Sequence, residues 1–208
     1  MPDRLDVAFL SLRAVFGPAF TLAFRLKTHG REHVPQEGAA ILAANHASFL
    51  DPILIGICAR RPVRFLVAND FYRDPRLHTV LRWLGAIPVG GDAGLIRSFR
   101  HIGEVIRRGG LLGIFPEGGI TRDGAMRPFR AGASVLALRT GVPLVPIHVG
   151  GTFEALPRDA KWPRFVPVTV RFGSPIPVAA RRNPSSEEIG ALSESLRSAV
   201  AALAGAGA

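Results

Sequence analysis

Short apolar runs alternate along this chain with longer stretches whose apolar residues recur at helical spacing, and few folds satisfy both patterns. Residues 39–44 have the make-up of a short buried strand, and 63–68, 111–115 and 142–149 of further strands. Between them, residues 52–61, 76–84, 93–108 and 131–140 read as helices. The clearest is 93–108, where Leu95, Ile96, Phe99, Ile102, Val105 and Ile106 follow helical spacing and Gly109-Gly110 ends the segment. A short strand is expected at 87–89, and 166–172 alternates like one more. Ser185-Ser186-Glu187-Glu188 opens a last amphipathic helix to about residue 203, with its acids at the end that the helix dipole favours. The rhythm predicts an α/β fold, a single-domain sandwich around a largely parallel sheet. In such sheets functional residues gather where strands end and loops begin.

The 208 residues suffice to bury one core, and 48% hydrophobic against 20% charged residues excludes a disordered chain. Glycines and prolines are scattered at element boundaries, and no repeat is visible. Cys58 stands alone, so no intrachain disulfide is available, and its apolar helical neighbourhood makes it a small buried hydrophobe. Lysine and arginine total 26 against 16 acids, a net charge of +10, and all but Lys27 and Lys161 of these bases are arginine. Such a surface attracts polyanions, or is simply a solvated arginine-rich face. Nucleic acid fits poorly: there is one tyrosine, and basic and aromatic residues are not interleaved. His29 and His33 flank Gly30 with no cysteine to join them, so no metal site is expected.

Residues 5–26 are strongly apolar, with Phe9, Phe16, Phe20 and Phe24. Arg13 and Arg25 bracket only 14–24, however, and a helix of that length reaches about 16 Å, roughly half a bilayer core. Pro18 should kink or split it, and Asp3 and Asp6 occupy what would be the basic region of a signal peptide. The expectation for residues 1–27 is a helix-kink-helix lying in a membrane interface, with Arg4, Arg13, Arg25 and Lys27 reaching anionic headgroups. The alternative is an ordinary amphipathic helix packed on the domain.

Chemistry concentrates at Asn45-His46-Ala47-Ser48-Phe49-Leu50-Asp51, directly after the first buried strand. A histidine at a strand end and an aspartate at the start of the next helix can face each other across one tight connection. A carboxylate on one ring nitrogen fixes the tautomer and leaves the other free to accept a proton. Taken alone, such a spacing more often marks a histidine that only satisfies backbone groups in a turn.

Asn45-His46-x-Ser48-x-x-Asp51 resembles the first motif of the glycerolipid acyltransferases, whose best-known members are 1-acylglycerol-3-phosphate acyltransferases. Gly85-Ala86-Ile87-Pro88-Val89 is similar to the family's second block, Phe115-Pro116-Glu117-Gly118 to its third and Val145-Pro146-Ile147 to its fourth. The order is the family's, and the likeness spans about residues 28–178. It implies an acyltransferase domain over 28–208 that moves a fatty acyl group from a thioester to a hydroxyl. His46 would be the general base, and Asp51 would orient it and stabilise the imidazolium. The substrate supplies the hydroxyl, so no acyl-enzyme is required. Asn45 and Ser48 are expected to shape the turn, with Ser48 a candidate cap for the helix near Asp51.

Glu117 and Gly118 are expected at the acceptor, where Glu117 binds a hydroxyl or fixes a nearby arginine. Relatives often place Thr-Arg directly after Phe-Pro-Glu-Gly; here Gly119-Ile120 intervene before Thr121-Arg122. Arg122 or Arg130 is expected to hold an acceptor phosphate, Arg130 from the mouth of a helix, with Arg127 on the surface. The arginine common after the second block is absent, since Gly90-Gly91-Asp92 stand there, with Arg97 or Arg100 as substitutes. The implied partners are a lysophospholipid, acyl-CoA or acyl carrier protein as donor substrate rather than resident cofactor, and an anionic membrane surface. The implied location is the cytoplasmic face of a membrane, monotopic or peripheral. Another lysolipid or amphiphilic alcohol remains open as acceptor. So do a thioesterase or lipid hydrolase, though no G-x-S-x-G elbow is present, and a non-catalytic lipid-binding protein.

Overall fold

A computed structural model describes residues 4–75, 78–90 and 95–205. The chain opens with helix α1 (Arg4–Ala23), strand β1 (Lys27–His29), a 3-10 turn at Arg31–His33, and β2 (Ala40–Ala44). Helix α2 (Asp51–Cys58) leads to β3 (Val63–Ala68) and two short helices, α3 (Asn69–Tyr72) and α4 (His78–Trp83). Then come β4 (Ile87–Val89), α5 (Leu95–Arg107), β5 (Leu111–Ile114), α6 (Gly132–Thr140) and β6 (Leu144–Gly150). The one-turn helix α7 (Thr152–Ala155), β7 (Thr169–Phe172) and α8 (Ser186–Gly205) complete it. Expected helix starts at 76 and 93 fall outside the described residues.

The strands form one seven-stranded sheet in the order β1-β7-β6-β2-β5-β3-β4, parallel except for the β6–β7 pair. This is the α/β sandwich that the alternation predicts. β2 explains why its sequence lacks an in-out pattern. Ala40, Leu42 and Ala44 face a core with Leu54, Ile55 and Cys58 of α2, while Ile41 and Ala43 face another with Ala137 of α6 and Leu196 and Val200 of α8. A strand covered on both faces has no polar side to show. β2 lies between β5 and β6, all three parallel, with Ala43 opposite Ile114 and Ala44 opposite Ile147. The carboxyl ends of the three strands therefore open at one edge of the sheet.

The N-terminal segment departs from expectation in two ways. It is one helix through Pro18, which lies on the exposed side together with Ala14, so the carbonyl that loses its donor faces outward. Two of its charged residues also face the domain. Phe9 packs on Gly56 of α2, Asp6 pairs with the buried Arg64 of β3, and Arg13 donates to the Ala59 carbonyl at 2.7 Å. Val7, Val15, Phe16 and Leu22 point away from the domain. Arg13 and Arg25 are thus not free headgroup ligands, because Arg25 donates to the Phe165 carbonyl at 3.1 Å. No helix among the described residues is long and apolar enough to cross a membrane.

Four short elements, β1, α3, α7 and the 3-10 turn, carry no sequence period and arise from tertiary contact. β1 exists because it pairs with β7. In the turn, His33 Nδ1 lies 2.9 Å from the Phe172 carbonyl, which gives that histidine a structural task.

Gly151, where β6 passes into α7, has φ +87°, and an added Cβ would lie 2.3 Å from the Pro167 carbonyl oxygen. Gly151→Ala is expected to cost about 2 kcal/mol or more in urea unfolding. A loss below about 0.5 kcal/mol, the range of neutral surface changes, would show that this turn is not held as described.

Candidate active site

The edge where β2, β5 and β6 end carries the histidine–aspartate pair. Asn45 continues the β2–β6 ladder with its side chain: Nδ2 donates to the Val149 carbonyl at 3.0 Å and Val149 N–H donates to Oδ1 at 2.8 Å. The backbone is thereby released to turn while the strand spacing is kept. Ser48 joins the same turn to the next element, donating to the Leu156 carbonyl at 2.7 Å and accepting from Leu50 N–H at 3.1 Å. It shapes the loop as expected but places no cap on α2, whose N-cap residue is Leu50.

Asp51 is fully buried, and its Oδ2 takes three contacts: Ala47 N–H at 2.7 Å, Ser48 N–H at 2.8 Å and His46 Nδ1 at 2.9 Å. An ionised carboxylate only accepts, so Nδ1 carries the proton. The lone pair of Nε2 then points outward on a ring that is 15% exposed. Oδ1 of Asp51 is buried without a partner. That uncompensated acceptor gains when a positive charge forms on the adjacent ring.

The plane of the imidazole is set by stacking. Phe115 lies on His46 with centroids 3.9 Å apart at 15°, and Phe65 on Phe115 at 5.6 Å and 10°. Gly113 makes room for this stack, since a Cβ there would lie 2.4 Å from the Phe65 ring. Neither phenylalanine is marked by sequence spacing alone, because β3 and β5 become neighbours only in the sheet.

Glu117 is also buried, and both its oxygens are in use. Oε1 accepts from His46 N–H at 2.8 Å, and Oε2 from Arg127 N–H at 3.1 Å with the Arg127 guanidinium 3.5 Å away. Arg127 is exposed, as expected of a surface residue, yet it is also tied to this loop and reaches the Gly119 carbonyl. Thr121 N–H donates to the His46 carbonyl at 2.9 Å, so the Glu117 loop grips the histidine backbone on both sides. Of the two alternatives for Glu117, the geometry matches the one that fixes an arginine.

Arg122 and Arg130 lie on this loop, both exposed, and neither guanidinium has a protein partner among the described contacts. Arg130 N–H donates to the Pro116 carbonyl at 2.9 Å, and its side chain lies over Gly118, where a Cβ would come within 2.6 Å of Nε. Gly118, at φ +72°, lets that arginine cross the loop. Arg122 directly follows the residue bonded to the His46 carbonyl. Arg100 is exposed on α5, while the side chain of Arg97 and residues 91 and 92 lie outside the described set. The second block is held by Ser98, whose hydroxyl donates to the Pro88 carbonyl at 2.5 Å.

His148 of β6 went unnoticed in the sequence. Its Nδ1 is buried without a partner, as is Thr152 Oγ1. Burial chiefly, then the like charge of Arg171, pushes its pKa down, and Asp51 partly opposes them. It is a neutral ring behind the site.

A protein-family model described as Acyltransferase matches residues 25–150, which is more than half of the chain. The chain belongs to the acyltransferase family. Within it, the 1-acyl-sn-glycerol-3-phosphate acyltransferase of Limnanthes douglasii is 32% identical over 155 residues, 73% of this chain and 54% of the relative. That of Borreliella burgdorferi is 29% identical over 154 residues, 70% of this chain and 60% of the relative. The chloroplastic BAT2 enzyme of Brassica napus is 27% identical over 141 residues, 66% of this chain and 41% of its own length. This acyltransferase-family chain thus spans only about 41 to 60% of these curated relatives. The crystal structure of the 1-acyl-sn-glycerophosphate (LPA) acyltransferase PlsC from Thermotoga maritima has the same fold, with a TM-score of 0.76 at 24% identity over 98% of this chain and 83% of that one.

Glu117→Gln puts an amide NH2 where two hydrogen-bond donors converge. Its expected cost is about 1–3 kcal/mol in urea unfolding. A carboxylate that only faced a ligand would give a change within about 0.5 kcal/mol.

Proposed function

We propose that this protein transfers a fatty acyl group from an acyl thioester to the hydroxyl of a lysophospholipid, with 1-acylglycerol-3-phosphate the first acceptor to test. The observation that carries this is the dyad: Nδ1 of His46 is held at 2.9 Å by the carboxylate oxygen that also takes the Ala47 and Ser48 amides, and Nε2 is left open. An alcohol attacks poorly at neutral pH because its proton must leave as the new bond forms. His46 Nε2 takes that proton while the oxygen adds to the thioester carbonyl. Asp51 stabilises the imidazolium it faces. The tetrahedral intermediate then expels the thiolate, which recovers the proton from His46. The products are an ester and a free thiol, and the enzyme is unchanged.

Glu117 is the frame of this site: it fixes the backbone of the base rather than contacting the acceptor. Arg122 and Arg130, unengaged beside that frame, are suited to a forked hold on the acceptor phosphate. Two such groups on one loop supply the charge that the second block lacks. The donor, acyl-CoA or acyl carrier protein, is a substrate; both are acidic and suit a chain of net charge +10. The relatives' names support this choice of acceptor, and the exposed apolar residues of α1 support peripheral work at a membrane surface; the cytoplasmic face belongs to the same proposal.

One labelled acyl thioester offered to a panel of lysolipids tests the reaction. The expected product is a new ester, and labelled free fatty acid in its place would identify a hydrolase. His46→Ala is expected to abolish turnover, and Asp51→Asn to lower kcat by about 10²–10⁴ with the fold intact. Full acyl transfer by purified His46→Ala would remove the base from this account. Arg122→Ala and Arg130→Ala should each raise the acceptor KM about tenfold or more, as loss of a charge-assisted contact does. Activity on phosphate-free alcohols alone would reject the phosphate assignment.

A further inference from the structure

A loop behind the active site exposes the most water-facing tryptophan of the chain. Arg164 N–H donates to the Ala155 carbonyl at 2.7 Å and closes its neck, and Ala160 N–H donates to the Pro157 carbonyl at 3.0 Å to turn it. This is a compact surface loop held by its own bonds. Trp162 is 82% exposed and Phe165, at the neck, 64%. Large aromatic area left in water is unfavourable, whereas a tryptophan ring has its preferred place at the boundary between lipid and water.

We propose that this loop is a membrane anchor that inserts Trp162 and Phe165 into the interface of an anionic bilayer. The inference rests on the reading that the acceptor is drawn from a membrane. Two observations choose lipid over other occupants. Arg158, Lys161 and Arg164, all exposed, flank the aromatics, and Asp159 is the one acid between residues 156 and 167. That is the charge pattern an anionic headgroup layer attracts. The loop also sits at the C-terminal end of α1: the Phe165 ring lies 5.7 Å from that of the buried Phe24, and Arg25 donates to the Phe165 carbonyl. Beside that junction Leu22 is 81% exposed, with Val15 at 69% and Phe16 at 51% further up the helix.

The root of the loop reaches the dyad. Leu156 accepts the Ser48 hydroxyl, and Ser48 N–H is one of the donors that hold Asp51. An anchored loop would therefore set the height of His46 relative to the bilayer, and it would do so from a segment outside the motif blocks.

The chain has two tryptophans, so Trp83→Phe leaves Trp162 as the sole reporter. With vesicles of phosphatidylcholine and phosphatidylglycerol, its emission is expected to shift to the blue and to be quenched by brominated phospholipid. Trp162→Ser with Phe165→Ser should weaken vesicle flotation of the full chain about tenfold or more, with turnover of a dispersed short-chain acceptor unchanged. Trp162→Ser alone, on a side chain that stands in solvent, should give part of that loss and guards against a folding defect. If the wild type floats while Trp162 emission stays unmoved and the double variant floats equally, the loop is not the anchor and the membrane reading survives. If the wild type fails to float at all, both fall. A Trp162 response to acyl carrier protein, or to protein concentration, without any response to vesicles would overturn lipid in favour of a protein partner.

Discussion

Asp51 carries a charge that burial makes costly, and the arrangement that makes it tolerable also builds the site. One oxygen gathers the amides of Ala47 and Ser48 with the ring of His46. Those amides can converge only if the chain leaves β2 in a tight turn and enters α2 at Asp51 itself. Charge, turn and helix start are therefore one constraint, and the tautomer of His46 follows from it. The unpartnered second oxygen keeps the carboxylate under-compensated, a state that favours positive charge on the ring during proton transfer.

The rest of the sheet edge serves to hold this constraint in place. Asn45 keeps β2 and β6 in register past the end of the strand, Ser48 ties the turn to the segment after α7, and Glu117 holds the histidine backbone from the β5 side. Phe115 and Phe65 stack the imidazole flat. The groups that hold the site are thus buried or packed in place, while those suited to meeting a ligand, Nε2 of His46 and the guanidiniums of Arg122 and Arg130, are open. This partition is what a preorganised site requires.

The N-terminal helix combines both kinds of contact. Asp6 faces Arg64 and Arg13 a carbonyl that α2 leaves free, beside the inward Phe9, while Val7, Val15, Phe16 and Leu22 stay exposed. Apolar content alone had suggested arginines directed toward headgroups. A sequence pattern reports that a helix has two unlike sides, but the partner on each side comes from the fold.

Sequence was sufficient for the elements whose signal is local. The strands at 63–68 and 87–89 fell where expected, and the helices ending near 107 and 140 stop at glycines. The family blocks pointed to His46 and Asp51 because both lie in one seven-residue stretch, and an H-x4-D spacing survives in a linear string. What stayed hidden was contact between distant segments: β1 on β7, Glu117 under His46, the Phe65–Phe115–His46 stack, and His148 beneath the site. Such contacts leave no periodic trace. They exist because the strand order β6-β2-β5-β3 sets beside one another residues that lie tens of positions apart in the chain.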